Sequence, residues 1–119
     1  MLLVVDVGNT QTHFGTFRGE QLLEHWRFAT VRESTADQLG AALGNLLELR
    51  GVSFKDLSAS IVSSTVPHLE PEWTAMAERY LGHEMLVVGP FIPLAAKLGR
   101  LAMELAGGDV RRFAIDVSC

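Results

Sequence analysis

The chain has 119 residues, 48% hydrophobic and 20% charged, so it can bury a core, and its length fits one domain, residues 1–119. Its net charge is −4 and its longest basic run is Arg111-Arg112, which argues against electrostatic binding to nucleic acid. The one cysteine, Cys119, excludes an internal disulfide, and the apolar start is too short to span a membrane, so we expect a cytoplasmic protein with no membrane partner.

An apolar run, Leu2–Val5, is followed by the charged residue Asp6, and together they predict a first strand, Leu2–Val7. The turn Gly8-Asn9-Thr10 separates it from a second predicted strand, Thr12–Phe17. The glycine would allow a positive φ and a close approach to an anion, the turn amides and side chains can point at phosphate oxygens, and Asp6 can hold a divalent cation. The alternative is an ordinary hairpin turn without function. The carboxylate favours the phosphate site, because a charge is rarely buried without a partner.

The next two elements differ in period. A third strand is predicted over Leu22–Phe28, where apolar and polar residues alternate. A helical pattern follows, and we expect it to begin at Thr35, which has capping-box spacing to Gln38, and to end at Gly51. The apolar face of this helix consists of Leu39, Leu43, Leu46 and Leu47.

Strands and helices then alternate. A fourth strand is predicted over Leu57–Ser64, and Val66-Pro67 marks a turn, because the residue before proline avoids helical angles. A second helix is expected from Leu69 or Pro71 to Leu81, closed by Gly82. The remaining predicted elements are a fifth strand, Met85–Val88, an apolar helix, Leu94–Ala106, and a strand or frayed end, Phe113–Val117.

The sequence also suggests roles for four side chains of these elements. Trp73 and Tyr80 lie on the apolar face of the second helix, and we expect both in the core. Ser63 and Ser64 could hydrogen-bond a substrate, although close packing is the favoured interpretation.

The order of elements is β-β-β-α-β-α-β with a further C-terminal helix. It predicts an α/β protein with a mixed sheet of about five strands, in which a three-strand meander precedes alternating strands and helices. This is the arrangement of one lobe of the actin-like ATPases, whose core is ribonuclease-H-like.

The chain also resembles a known family, the type III pantothenate kinases. The opening segment with Asp6, Gly8 and Thr10 is similar to the first phosphate loop of that family, and further matches follow in order. The matching segments are residues 3–10, 25–30, 35–39, 61–67 and 86–90. The resemblance is clear over residues 1–90 and weak over 91–119, and it identifies the chain as the N-terminal lobe of such a kinase.

The resemblance implies ATP-dependent phosphorylation of pantothenate to 4'-phosphopantothenate, the first step of coenzyme A biosynthesis. It also implies a homodimer that uses a divalent cation such as Mg²⁺ and a monovalent cation, K⁺ or NH₄⁺. Asp6 would hold the metal. The first ATP-phosphate loop would comprise Asp6, Val7, Gly8, Asn9, Thr10, Gln11, Thr12 and His13.

A second motif of the family lies near the C-terminus. Gly107-Gly108-Asp109 resembles the first three residues of the family's Gly-Ala-Asp-Arg motif, in which the aspartate is the general base for the substrate hydroxyl. Asp109 is therefore the candidate catalytic residue. Gly107, Gly108 and Asp109, with Arg111 or Arg112, would bind pantothenate, although the arginine is displaced by one position. The alternative is a helix end followed by a solvated pair of arginines.

The family's second lobe is not represented in these 119 residues. In the actin-like fold ATP lies between two lobes, and the second lobe supplies an Asp-x-Gly-Thr loop. Residues 114–118 include an aspartate, Asp116, without the Gly-Thr that should follow. We therefore expect a truncated, frame-altered or fragmentary kinase. The alternative is a catalytically inactive remnant or a regulatory protein similar to the transcriptional accessory factors of the same family.

Overall fold

The computed structural model describes residues 1–88, which form a five-stranded mixed sheet with two helices. The strands are β1 (Leu2–Val7), β2 (Gln11–Arg18), β3 (Gln21–Ala29), β4 (Ala59–Ser64) and β5 (Leu86–Val88). Their order in the sheet is β3-β2-β1-β4-β5; β2 is antiparallel to both β1 and β3, whereas β4 is parallel to both β1 and β5. The predicted fold class and element order are therefore confirmed over this part of the chain. The helices are α1 (Ala36–Glu48) and α2 (Glu70–Met76), the latter continued by a π-helical turn, Ala77–Leu81.

The central strand β1 is buried because it has a neighbour on each side. Leu3, Val5 and Val7 lie on the face that packs against the helices, and Leu2 and Val4 are buried on the opposite face. The helices cover the first face with large apolar side chains, as the 3.6-residue period predicts. These include Leu39, Leu43, Leu47, Leu69, Trp73 and Met76.

Helix α1 begins where its capping signal predicts. The Thr35 hydroxyl accepts a hydrogen bond from the Gln38 amide at 3.2 Å, and the Gln38 side-chain oxygen accepts one from the Thr35 amide at 2.8 Å. This reciprocal pair satisfies two amides that would otherwise have no acceptor inside the helix. Gly51 follows the helix end with a φ of +74°, which a residue with a Cβ adopts only with strain.

Several element boundaries differ from the sequence prediction, and two of these differences have a visible local cause. β4 begins at Ala59 rather than Leu57. Phe54–Asp56 forms a 3₁₀ turn, and its Phe54 carbonyl accepts a hydrogen bond from the Leu57 amide. The predicted second helix is regular only as far as Met76 and ends in a wider π turn, closed by the Gly82 amide on the Ala77 carbonyl at 2.8 Å.

The expectation that Tyr80 belongs to the core is wrong, whereas Trp73 is fully buried as expected. Tyr80 is 36% exposed, and its hydroxyl donates to the Asp37 carboxylate at the protein surface. Its ring lies against Gly40, where a Cβ would approach the ring to 2.7 Å. A phenol keeps its polar end hydrated or paired, so the helical period alone overestimates its burial.

Within residues 1–88, no helix is both long and apolar enough to cross a bilayer. The predicted helix Leu94–Ala106 and the predicted strand Phe113–Val117 lie outside the described residues.

Candidate functional site

The candidate site lies at the carboxyl ends of the parallel strands β1 and β4. Thr65, just after β4, donates its amide to the Val7 carbonyl at 2.9 Å and its hydroxyl to the same carbonyl at 3.3 Å. This contact holds the loop after β4 beside the turn after β1. In open α/β sheets, ligands bind outside the carboxyl ends of the strands, and these two loops lie at that end of the sheet.

The turn between β1 and β2 leaves backbone donors free. The Gly8 amide donates to the Gln11 carbonyl at 2.9 Å, and the Thr30 amide donates to the Thr10 carbonyl at 2.9 Å, so the turn is fixed from both sides. Asn9 and Thr10 are exposed, and within residues 1–88 their own amides have no acceptor. Two successive free N–H groups at a sheet edge are suited to binding an anion.

The predicted reason for Gly8 is wrong in part. Its φ is not positive, since the described glycines with positive φ are Gly19, Gly51 and Gly82. The glycine is instead required by a close approach within the turn, because a Cβ at position 8 would lie 2.9 Å from the Gln11 carbonyl oxygen. The backbone approaches itself here, whereas the sequence suggested that it approaches the ligand.

Gly8→Ala is therefore expected to destabilise the protein by about 1–3 kcal/mol and to displace the turn, because a backbone atom cannot yield to the new methyl group. Urea unfolding measures the stability, and backbone chemical shifts of residues 8–11 report the turn. The matched control is Gly19→Ala, at the β2–β3 turn. A Cβ there meets nothing within 4 Å, so this variant tests a φ of +60° without a close contact. An unchanged turn spectrum in Gly8→Ala would contradict this account.

Asp6 lies in a row of polar side chains on one face of the sheet. It is directly opposite His13 on β2 and Ser63 on β4, and His13 in turn pairs with Arg27 on β3. Directly opposed residues point to the same face. The row therefore runs Arg27, His13, Asp6, Ser63 across four strands, on the face opposite the helices.

The Asp6 carboxyl is half-buried, and this burial raises its pKa from 3.8 to about 6. At neutral pH the group is still mostly ionised, and within residues 1–88 it has neither a salt bridge nor a hydrogen bond. Burial lowers the pKa of His13, and Arg27 and His25 lower it further, so His13 does not supply a positive charge for Asp6 at neutral pH.

An ionised carboxylate without a counter-charge fits a cation. No group of three or more His, Cys, Asp or Glu residues in the described part of the chain could hold a metal ion by itself. Mg²⁺ is commonly held by one or two carboxylates, with water and substrate phosphates completing its shell. Asp6 with the adjacent free amides of the turn suits a metal ion shared with a phosphate group.

The structure separates the other residues of the predicted phosphate loop into two groups. Val7 and Thr12 point into the core beside the helices, where the Thr12 hydroxyl pairs with that of Thr30 at 2.9 Å. Gln11 is exposed and His13 half-buried, so both side chains can reach the site. The predicted substrate residues Gly107, Gly108, Asp109, Arg111 and Arg112 lie outside the described residues.

The two serines of β4 differ in role. The Ser64 hydroxyl donates to the Val66 carbonyl and accepts from the Val66 amide, each at 2.9 Å, so it is used in closing the turn, as the packing interpretation expects. Ser63 is half-buried beside Asp6 and remains available to the site.

Sequence reasoning missed two residues at this edge, Arg32 and His68. Arg32 lies in the turn between β3 and α1, and its guanidinium reaches the Asn9 side-chain oxygen at 3.4 Å. His68 follows β4 and bonds to the Arg32 carbonyl at 2.7 Å. Neither residue belongs to a regular pattern, and only the proximity of the loops in the fold reveals them.

Solved structures identify the fold. The chain is similar to a structure described as an N-acetylglucosamine kinase from Porphyromonas gingivalis, with a TM-score of 0.62 and 18% identity, covering 84% of this chain and 38% of that one. It is also similar to the ROK hexokinase of Thermus thermophilus, with a TM-score of 0.60 and 20% identity, covering 89% and 37%. The described residues therefore have a ribonuclease-H-like fold.

Sequence comparison identifies the family to which the chain belongs. The family model for type III pantothenate kinase matches residues 2–109. Over 90 residues the chain is 42% identical to the type III pantothenate kinase of Moorella thermoacetica and 41% identical to that of Myxococcus xanthus. The chain belongs to the type III pantothenate kinase family. The alignment covers 76% of this chain and 35% of either relative, so the chain spans about a third of their length.

Proposed function

We propose that the chain forms the phosphate-binding part of a kinase that transfers the γ-phosphoryl group of ATP to pantothenate, giving 4'-phosphopantothenate. The observation that carries the proposal is the ionised carboxylate of Asp6, three residues before the amide of Asn9 and four before that of Thr10, at the end of the sheet where such folds bind ligands. Within residues 1–88 the carboxylate has no counter-charge and the two amides have no acceptor. The family membership supports the reaction class and the substrate of this proposal.

Each part of the site has a defined role in this proposal. The amides of Asn9 and Thr10 bind phosphate oxygens, and Asp6 holds Mg²⁺, which neutralises the phosphate charge when bound. Phosphoryl transfer depends mainly on such positioning and charge stabilisation, because the reaction involves little covalent chemistry by the protein. Gln11, Ser63 and the neutral His13 provide hydrogen bonds around this centre.

The residues that bind pantothenate complete the proposal. As in the family, Asp109 takes the proton of the pantothenate hydroxyl as that oxygen bonds to phosphorus and the bond to ADP breaks. Gly107 and Gly108 shape this subsite, and Arg111 or Arg112 pairs with the pantothenate carboxylate. A monovalent cation, K⁺ or NH₄⁺, a homodimeric state and a cytoplasmic location belong to the same proposal.

The test combines binding with catalysis by the 119-residue chain. We expect ATP with Mg²⁺ to raise the Tm by at least about 4 °C, because a ligand at saturating concentration stabilises the state that binds it. Labelled ATP, pantothenate, Mg²⁺ and K⁺ should yield 4'-phosphopantothenate, and Asp109→Asn should abolish the product while keeping the Tm shift.

The outcomes separate the proposed kinase from its alternatives. Nucleotide binding without product would contradict catalysis by this chain and favour a regulatory or inactive member of the family. An unchanged Tm together with no product would contradict the phosphate-binding role itself.

A further inference from the structure

Three loops meet at the candidate site, and one of them contributes a cation. The turn after β1 carries Asn9, the turn between β3 and α1 carries Arg32, and the 3₁₀ turn after β4 carries His68. Of the side chains joined by these contacts, the Arg32 guanidinium carries the cation, and it reaches the Asn9 side chain in the turn after β1.

The Arg32 guanidinium has unused capacity for an anion. Among residues 1–88 it forms no salt bridge, and its one side-chain contact is the 3.4 Å approach to the Asn9 oxygen, which is long for a hydrogen bond. A guanidinium has five N–H donors in a planar fork that matches phosphate oxygens. Most of these donors are therefore available at the turn after β1, where the guanidinium approaches the Asn9 side chain.

The main chain that carries Arg32 is fixed from two directions. Thr30, two residues earlier, donates its amide to the Thr10 carbonyl at 2.9 Å. His68 bonds through Nε2 to the Arg32 carbonyl at 2.7 Å. A carbonyl can only accept, so Nε2 carries the hydrogen and donates it. The His68 contact thus links the loop after β4 to the backbone from which the guanidinium projects.

We propose that Arg32 is a further phosphate-binding residue of this site, contacting the polyphosphate chain of the nucleotide, and that His68 is a positioning residue that holds Arg32 in place. This inference rests on the proposed function, which it extends from backbone amides and Asp6 to a charged side chain. The chemistry recognised is a polyphosphate anion, and the adenosine part contributes nothing to these contacts.

The test measures the affinity of the 119-residue chain for two probes, ATP with Mg²⁺ and inorganic tripolyphosphate, by calorimetric titration. Arg32→Ala is expected to weaken both by about 10- to 100-fold, as loss of a charge-assisted bond does. Arg32→Lys keeps the charge without the fork and should fall in between. The matched control is Arg18→Ala, an exposed arginine at the other end of β2, which should bind both probes like the wild type.

His68 is tested by rescue. His68→Ala should weaken both probes by about 3- to 10-fold with an unchanged Tm, and His68→Gln, which retains an N–H donor, should restore most of the affinity. In the double variant Arg32→Ala/His68→Ala, affinity should be no lower than in Arg32→Ala alone, because His68 acts only through Arg32.

The results distinguish this inference from the proposed function. Tripolyphosphate binding that depends on Arg32 supports the inference even if ATP binds no better than tripolyphosphate. If wild type and Arg32→Ala bind both probes with equal affinity, the inference is overturned and the proposed function still stands. Wild-type protein that binds neither probe overturns both.

Discussion

Asp6→Asn is expected to raise the free energy of unfolding of the metal-free protein by about 2 kcal/mol at pH 8. Burial raises the pKa of Asp6 to about 6, so the folded protein binds its proton more tightly than the unfolded chain, where the pKa is 3.8. Wild-type stability therefore falls as the pH rises from about 4 to about 6 and stays lower above that range. Asparagine carries no charge and removes this loss. The full pKa shift, converted at about 1.4 kcal/mol per pKa unit, would give a larger gain in stability. We expect the smaller gain because water reaches the half-buried carboxyl and screens its charge.

Urea unfolding of wild type and Asp6→Asn at pH values from 4 to 8 measures this effect. The two proteins should be nearly equal at pH 4, diverge between pH 4 and about 6, and keep that difference up to pH 8. Glu20→Gln, at the exposed β2–β3 turn, is the matched control and should follow the wild type. A variant less stable than wild type at pH 8 would contradict the assignment of Asp6 as an unpaired, desolvated carboxylate. A residue that lowers stability in this way is typical of a binding site.

Trp73→Ala is expected to destabilise the protein by about 3–5 kcal/mol, a large part of the stability of a small domain. The side chain is fully buried between α2 and the sheet, with its ring 6.5 Å from that of Phe28. Removing it leaves a large cavity in the core. Guanidinium unfolding followed by far-ultraviolet circular dichroism measures the loss, or shows an unfolded protein directly.

Two further variants keep this prediction testable if Trp73→Ala does not fold. Trp73→Phe should have a much smaller effect, because it retains a ring against Phe28 and removes an indole N–H that has no partner among the described residues. Tyr80→Ala, on the same helical face but partly exposed, should lose only about 1–2 kcal/mol. Equal losses at Trp73 and Tyr80 would contradict the assignment of Trp73 to the core.

Local signals in the sequence predicted most of the fold. The β1 strand, the capping box of α1 and the ending of the second helix before Gly82 each depend on neighbouring residues alone, and the structure contains all three. The family resemblance added the expectation of a ribonuclease-H-like mixed sheet, which the structure confirms. Boundaries failed where tertiary contacts compete, as at the 3₁₀ turn before β4.

The site was predicted less completely, for physical reasons. The position of Asp6 at a strand end is a sequence signal, but the close approach that requires Gly8 arises from the turn geometry. The orientation of Thr12 into the core follows from strand register, which a phosphate-loop motif does not encode. Arg32 and His68 come from separate loops, and no spacing in the sequence indicates that they meet.

The central claim, that Asp6 and the turn after it bind nucleotide phosphates through a metal ion, is tested most directly by calorimetric titration of ATP with Mg²⁺. Wild-type protein at pH 8 should bind saturably, Asp6→Asn should bind at least about 10-fold more weakly, and wild-type affinity should fall below pH 6 as Asp6 takes up a proton. Equal affinity in the two proteins across this pH range would contradict the claim.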